Sequence, residues 1–198
     1  MSLPRTFNPW RDICPTYDRP DAPTIRCRNL IAILERALTS GADALWIGRD
    51  LGYLGGRRTG LAITDEVRLD AQARMWGTPP LVRATIGQPC QERTAKEVWH
   101  WLERFQRPAF LWNVFPLHPH QPGKPLSNRV HTNAERDATL HFLRDLHNNL
   151  RPRLVVALGR DAQRVLTSLN IQHAPVRHPS MGGLNDFRLA MGRLLSKS

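Results

Sequence analysis

The chain has 198 residues, enough for one compact domain with a single core. Its 28 lysines and arginines against 17 acids leave a formal net charge of +11, which favours a polyanionic partner, nucleic acid ahead of an anionic membrane. No apolar stretch approaches the roughly 18 residues of a membrane span, the N-terminus M-S-L-P-R-T-F-N-P-W has no apolar h-region, and Cys14, Cys27 and Cys90 form no C-x-x-C pair. These features argue against a membrane-spanning or secreted protein, a zinc site and an iron–sulfur cluster. They favour a reducing intracellular setting such as the cytoplasm.

Residues 1–22 are rich in proline and predict an irregular arm packed across the domain that occupies 23–198. A helix is expected over 23–39, where Ile25, Leu30, Ile31, Ile33, Leu34 and Leu38 recur at helical spacing. The apolar run A-L-W-I-G (44–48) predicts a buried strand. It leads into G-R-D-L-G-Y-L-G-G-R-R-T-G (48–60), with five glycines, three arginines and one acid. A plain turn needs one or two glycines, so five suggest close backbone approach to something, and the arginines suggest that it is anionic. A helix follows over 93–105, then a second buried strand, A-F-L-W-N-V-F (109–115), and the loop F-P-L-H-P-H-Q-P-G.

Asn133 is placed to cap a helix over 134–149, on which Leu140, Leu143, Leu146 and Leu150 form a stripe. R-L-V-V-A-L-G (153–159) predicts a third strand and H-A-P-V-R (173–177) a short fourth, with helices over 161–169 and 184–195. Near-continuous apolar strands alternating with helices define an α/β protein: a three-layer α/β/α sandwich around a mostly parallel four-stranded sheet. Ligand sites in such sheets lie beyond the carboxyl ends of the strands. Asp50, Asn113, His118 and His178 all fall at or after those ends.

Each of these residues has a chemical use and a plainer one. Asp50 could orient a water or face a developing cation, or it could cap a helix or pair with Arg49, Arg57 or Arg58. Asn113, inside an apolar strand, could match the edge of a pyrimidine or bond to nearby loop backbone. His178, in V-R-H-P-S-M-G-G, could donate to an oxyanion or serve the fold. His118 and His120 have no acid or third ligand at a telling spacing, so no metal site is assigned. Arg57, Arg58, Lys124, Arg129, Arg160, Arg177 and Arg188 fall on the same predicted side of the sheet, where they could neutralise phosphates.

Three motifs, in order, resemble the uracil-DNA glycosylase superfamily over about residues 43–190. G-R-D-L-G followed by T-G-L-A-I-T resembles the family's water-activating loop, L-W-N-V-F the strand whose asparagine reads the base, and H-P-S-M-G-G the loop whose histidine faces uracil O2. The resemblance implies a cofactor-free, monofunctional DNA-repair enzyme of base excision, acting as a monomer on uracil-containing DNA, single- or double-stranded. It would flip the base, hydrolyse the N-glycosidic bond and leave an abasic site and free uracil. It implies Asp50 and His178 as catalytic residues, and Asn113, Gly48, Arg49, Ile63 and Phe115 around the base. Arg57, Arg58, Ser180, Met181, Lys124 and Arg177 would lie on the DNA, with Met181 as a wedge in the vacated stack.

Two positions depart from the pattern. Gly52 stands where the strictest uracil-specific branch has a tyrosine, with Tyr53 one residue late, and Ile63 stands where relatives have a stacking aromatic. Phe115 or Tyr53 could compensate. A roomier pocket would suit hypoxanthine, xanthine or 5-modified uracil. Further alternatives are a non-catalytic binder of uracil or abasic DNA, and an α/β enzyme acting on a small phosphorylated ligand.

Overall fold

The computed structural model describes residues 3–196. In chain order its elements are β1 (Thr6–Phe7), α1 (Ala22–Ser40), β2 (Ala44–Asp50), α2 (Gly56–Thr59), a 3-10 turn (Glu66–Arg68), α3 (Leu69–Trp76), α4 (Arg93–Phe105), β3 (Ala109–Phe115), β4 (His118–Pro119), α5 (Asn133–Leu150), β5 (Leu154–Leu158), α6 (Arg160–Ser168), β6 (Ala174–Val176) and α7 (Leu184–Leu195). The main sheet has the order β3-β2-β5-β6 and all its pairings are parallel. This is the expected four-stranded α/β architecture.

Alternation along the strands divides the core into two layers. Leu45 and Ile47 of β2, Phe110 and Trp112 of β3 and Ala157 of β5 face Ile33 and Ala37 of α1, Ala73 and Trp76 of α3, Leu143 of α5 and Leu166 of α6. Their neighbours Ala44, Trp46, Leu111, Val156 and Leu158 face Val98, Trp99 and Leu102 of α4 and Phe187 and Met191 of α7. Both faces of the sheet are therefore dry, which is why the strands read as unbroken apolar runs.

The helix boundaries have local causes. Pro23 sits in the first turn of α1, where no intrahelical N–H is lost, and Gly41 at φ 82 ends it. The cap of α5 is Thr132, one residue before the expected Asn133. Its hydroxyl accepts from Glu135 N–H while the Glu135 carboxylate accepts from Thr132 N–H, a reciprocal capping box. α2 and α3 escape the sequence reading because neither is long enough to show a helical period.

The arm joins the domain through backbone and rings. β1 pairs antiparallel with β4, and Phe7, Cys14 and Tyr17 form a small apolar cluster. Asp18 is ion-paired with Arg26 of α1, and both side chains are fully buried.

Candidate active site

At the carboxyl end of the sheet a cavity of about 730 Å³ opens among β2, β3, the loop after β6 and the start of α4. Gly48, Asp50, Ile63, Glu92, Asn113 and His178 all line it. Strand register sets its floor, since Gly48 on β2 sits beside Asn113 on β3. A Cβ at position 48 would stand 2.5 Å from Asn113 Oδ1, so glycine there makes room for the amide.

Asn113 is 1% exposed, and neither its Oδ1 nor its Nδ2 has a hydrogen-bond partner. An unsatisfied buried amide costs about 1–3 kcal/mol for each group left without a partner.

Asp50 ends β2 with its side chain almost wholly buried. Arg49 Nε donates to Oδ2 at 2.6 Å, and His131 Nδ1 contacts Oδ1. An ionised carboxylate only accepts, so His131 carries its proton on Nδ1 in that contact. Each carboxylate oxygen has two acceptor sites, so two remain for water or substrate. The guanidinium of Arg49, expected on the base, is instead shared between Asp50 and Asp161, the latter at 3.6 Å.

His178 is half-buried in the loop after β6. Burial, and then the nearby Arg49 guanidinium, push its pKa down to about 4, so the ring is neutral at pH 7. The backbone N–H of Ser180 donates to His178 Nδ1 at 3.2 Å, which makes Nδ1 an acceptor and puts the proton on Nε2. The Ser180 hydroxyl lies 2.7 Å from the same Nδ1. Two successive left-handed residues, Met181 at φ 53 and Gly182 at φ 75, turn the loop back, and Met181 stands 93% exposed.

Ile63 belongs to the apolar wall of the cavity with Leu51 and Leu158, and is held at φ 53 with its carbonyl accepting from Trp99 Nε1 at 3.1 Å. A β-branched residue in that region stores about 1–3 kcal/mol of strain, and such outliers concentrate at functional sites. Neither aromatic suggested as a substitute lies on the cavity. Phe115 is fully buried behind it, its ring 5.6 Å from that of His131. Tyr53 is on the outer loop, its N–H donating to Asn128 Oδ1 at 3.1 Å. Phe115 therefore backs the Asp50 partner and does not line the cavity.

Arg57 and Arg58, expected on the DNA strand, point inward. Arg57 is 3% exposed, lies 3.7 Å over the Phe7 ring and donates to Tyr17 Oη, to His118 Nδ1 and to the Pro125 carbonyl. Arg58 lies 3.9 Å over the Tyr17 ring and is ion-paired with Glu66 at 2.9 Å. Both arginines fasten the arm, through cation–π contacts that strengthen when desolvated. His118 is the buried partner of Arg57. Burial, and then Arg57, push it down to about 3, and it lies away from the cavity. The glycines of this loop likewise serve neighbours within the protein, with Gly56 packing under Leu51 and Gly60 turning at φ 71 against Arg26.

Arg160 and Arg177 remain at the mouth of the cavity, Arg177 3.4 Å from Asp186. Lys124 is exposed on a turn apart from the cavity lining. Arg129 and Arg188 are paired with Glu135 and Glu97. The sequence reading missed His131 and Glu92. His131 reaches Asp50 from a loop 81 positions away, and Glu92 looks like an ordinary charge before a helix. Among the described residues no group of three or more histidines, cysteines and acids is arranged to hold a metal, and no helix is long and apolar enough to cross a membrane.

The protein is thus an α/β sandwich whose parallel sheet ends in a cavity with an unpartnered amide, a tethered carboxylate and a neutral histidine. The model of the uracil DNA glycosylase superfamily matches residues 55–191, and the chain belongs to that superfamily. Its function is therefore that of a DNA glycosylase, a hydrolase that acts on bases in DNA and binds DNA. Among solved structures it is similar to wild-type SMUG2 of Pedobacter heparinus, at TM-score 0.59 and 15% identity over 95% of this chain and 92% of that one. Comparison with curated proteins returned no match.

Proposed function

We propose that the protein excises uracil from DNA, acting as a monomer inside the cell on a nucleotide flipped into the cavity. The observation that carries this reading is the Asn113 amide, buried in the cavity wall with donor and acceptor both unpartnered. Uracil presents N3–H and O4 side by side, an adjacent donor and acceptor that one amide can meet. Cytosine inverts both groups and would leave the buried amide facing like against like.

In the reaction the C1′–N1 bond breaks with its electron pair leaving on the base, and positive charge develops on the sugar. Asp50 faces that charge and orients the attacking water, whose oxygen bonds C1′ and whose proton passes to solvent. His178 donates from Nε2 to O2 and stabilises the departing uracil anion, which then takes a proton from solvent. Its neutrality limits it to hydrogen bonding, so it does not supply a proton outright. Met181 fills the vacated stack, and Arg160 and Arg177 hold phosphates.

A broader substrate range is the second reading, favoured by one observation: the base would stack on aliphatic Ile63 in a cavity with no phenylalanine, tyrosine or tryptophan among its described lining residues. Hypoxanthine, xanthine and 5-modified uracil are its candidates. The test is an end-labelled oligonucleotide with one uracil, single-stranded or opposite guanine or adenine, incubated with protein and cleaved by alkali. Wild type should yield abasic sites and Asp50→Asn should be slower by about 10²- to 10⁴-fold. Intact uracil with a gel shift would identify a binder instead.

A further inference from the structure

Ile63 faces the cavity in a conformation that an isoleucine does not keep unaided. Its φ of 53 lies in the left-handed region, where a β-branched side chain crowds its own backbone and the strain persists only if neighbours fix it. Two neighbours do. Trp99 on α4, 2% exposed, donates from Nε1 to the Ile63 carbonyl at 3.1 Å. Thr59, at the end of α2 and equally buried, accepts from Leu61 N–H at 3.1 Å and donates to the Thr64 carbonyl at 2.8 Å, so its hydroxyl spans the turn. The Trp99 bond is selective. Among the described residues the indole N–H groups of Trp10, Trp46, Trp76, Trp101 and Trp112 are buried without a partner, and that of Trp99 is used on this carbonyl.

The left-handed turn decides where the Ile63 side chain goes. Its Cγ1 and Cδ1 stand 3.4 Å from the position that a Cβ on Gly48 would take, and Asn113 Oδ1 stands 2.5 Å from that same position. The aliphatic face and the unpartnered amide therefore meet over one bare glycine. Trp99 itself does not line the cavity. Dispersion contacts lose roughly a quarter to a half of their strength across a gap of about 0.5–1 Å, so a stacking face works only where it is held at contact distance.

We propose that Trp99 is a positioning residue for base recognition: through the Ile63 carbonyl it holds the stacking face beside Asn113. The inference rests on the uracil reading, in which the flipped base stacks on Ile63 while Asn113 meets its N3–O4 edge. Without the indole N–H, the peptide between Ile63 and Thr64 is free to turn. The φ of Ile63 then relaxes towards the negative values that isoleucine prefers, and its side chain leaves the Gly48 floor. Two parts of one side chain thus have separate tasks. The Trp99 ring packs in the layer between α4 and the sheet, and its N–H sets the cavity wall.

The experiment compares wild type, Trp99→Phe, Ile63→Gly and the double variant as full chains; Trp99→Phe keeps an aromatic ring and removes the N–H. Single-turnover excision of uracil from a duplex oligonucleotide is measured beside binding of the same duplex carrying a tetrahydrofuran abasic analogue. Trp99→Phe should slow excision about tenfold. It should shift binding of the abasic analogue less than about threefold, since that DNA has no base to stack. In the Ile63→Gly background Trp99→Phe should slow excision less than about twofold, because glycine adopts φ 53 unaided and leaves no side chain to aim. Melting temperatures give a second reading that needs no activity: the drop caused by Trp99→Phe should shrink by about half or more in the Ile63→Gly background. Excision by Trp99→Phe at the wild-type rate, equal loss of excision and abasic binding, or a penalty of the same size in both backgrounds would overturn the assignment while uracil excision stands. Intact uracil with wild type would overturn the parent reading and this one with it.

Discussion

His131 Nδ1 is hydrogen-bonded to Asp50 Oδ1, joining residues 81 positions apart, and the buried Phe115 ring packs behind the imidazole. The carboxylate is thus held from both sides, since Arg49 occupies its other oxygen. His131 does not line the cavity and acts as a positioning residue. His131→Ala should lower the single-turnover rate by about 10- to 100-fold, since loss of orientation alone can reach that size. The dissociation constant for uracil-containing DNA should move less than about threefold, because no substrate contact is lost. Quench-flow kinetics beside a fluorescence titration separate the two; a loss confined to binding would refute the positioning role.

Asn113 is a place where function and stability should part. Asn113→Leu removes two buried polar atoms that have no partner, so the free protein should be unchanged or more stable by up to about 2 kcal/mol. Uracil excision should fall by at least about 10²-fold. A urea melt and the alkaline-cleavage assay on one preparation test both halves. Gly48→Ala, which drives a methyl into Asn113 Oδ1, should lose activity as well.

Arg57 and Arg177 should behave oppositely, although both are basic residues of site loops. Arg57→Ala strips partners from Tyr17, His118 and Pro125, and should destabilise by about 2–4 kcal/mol. The salt dependence of DNA binding by the folded fraction should stay the same. Arg177→Ala should leave the melt within about 0.5 kcal/mol, as its ion pair with Asp186 is exposed. It should reduce the slope of log K against log salt by about one.

Acid should weaken the fold in a defined window. His118 and His178 have folded pKa values of about 3 and about 4, both below the ordinary 6.5. Between those values and 6.5 the unfolded chain binds more protons than the folded one, so stability rises with pH there. The contribution is complete above pH 6.5 and is lost as pH falls towards 4. Thermal melts from pH 4 to 8 should show this loss, and His118→Gln should flatten it.

Met181 is exposed on a left-handed turn, where it is free to enter a duplex. Met181→Ala should slow excision from double-stranded DNA by about tenfold or more and from single strands far less, because only the duplex has a stack to refill. Equal slowing on both would count against a wedge.

Strand positions, layer order and the carboxyl-end location of Asp50, Asn113 and His178 were all legible in the residue pattern. Unbroken apolar runs bounded by glycine admit few other arrangements. The tertiary structure decided what those residues meet. Composition alone could not show that Arg57 and Arg58 turn inward onto Phe7 and Tyr17, since a guanidinium serves a phosphate or an aromatic face equally well. Nor could spacing bring His131 to Asp50 or Glu92 over Gly52, because such contacts join separate loops and leave no period in the chain. Local physics along the chain determined the scaffold, and long-range packing determined which charges are spent inside it and which remain for DNA.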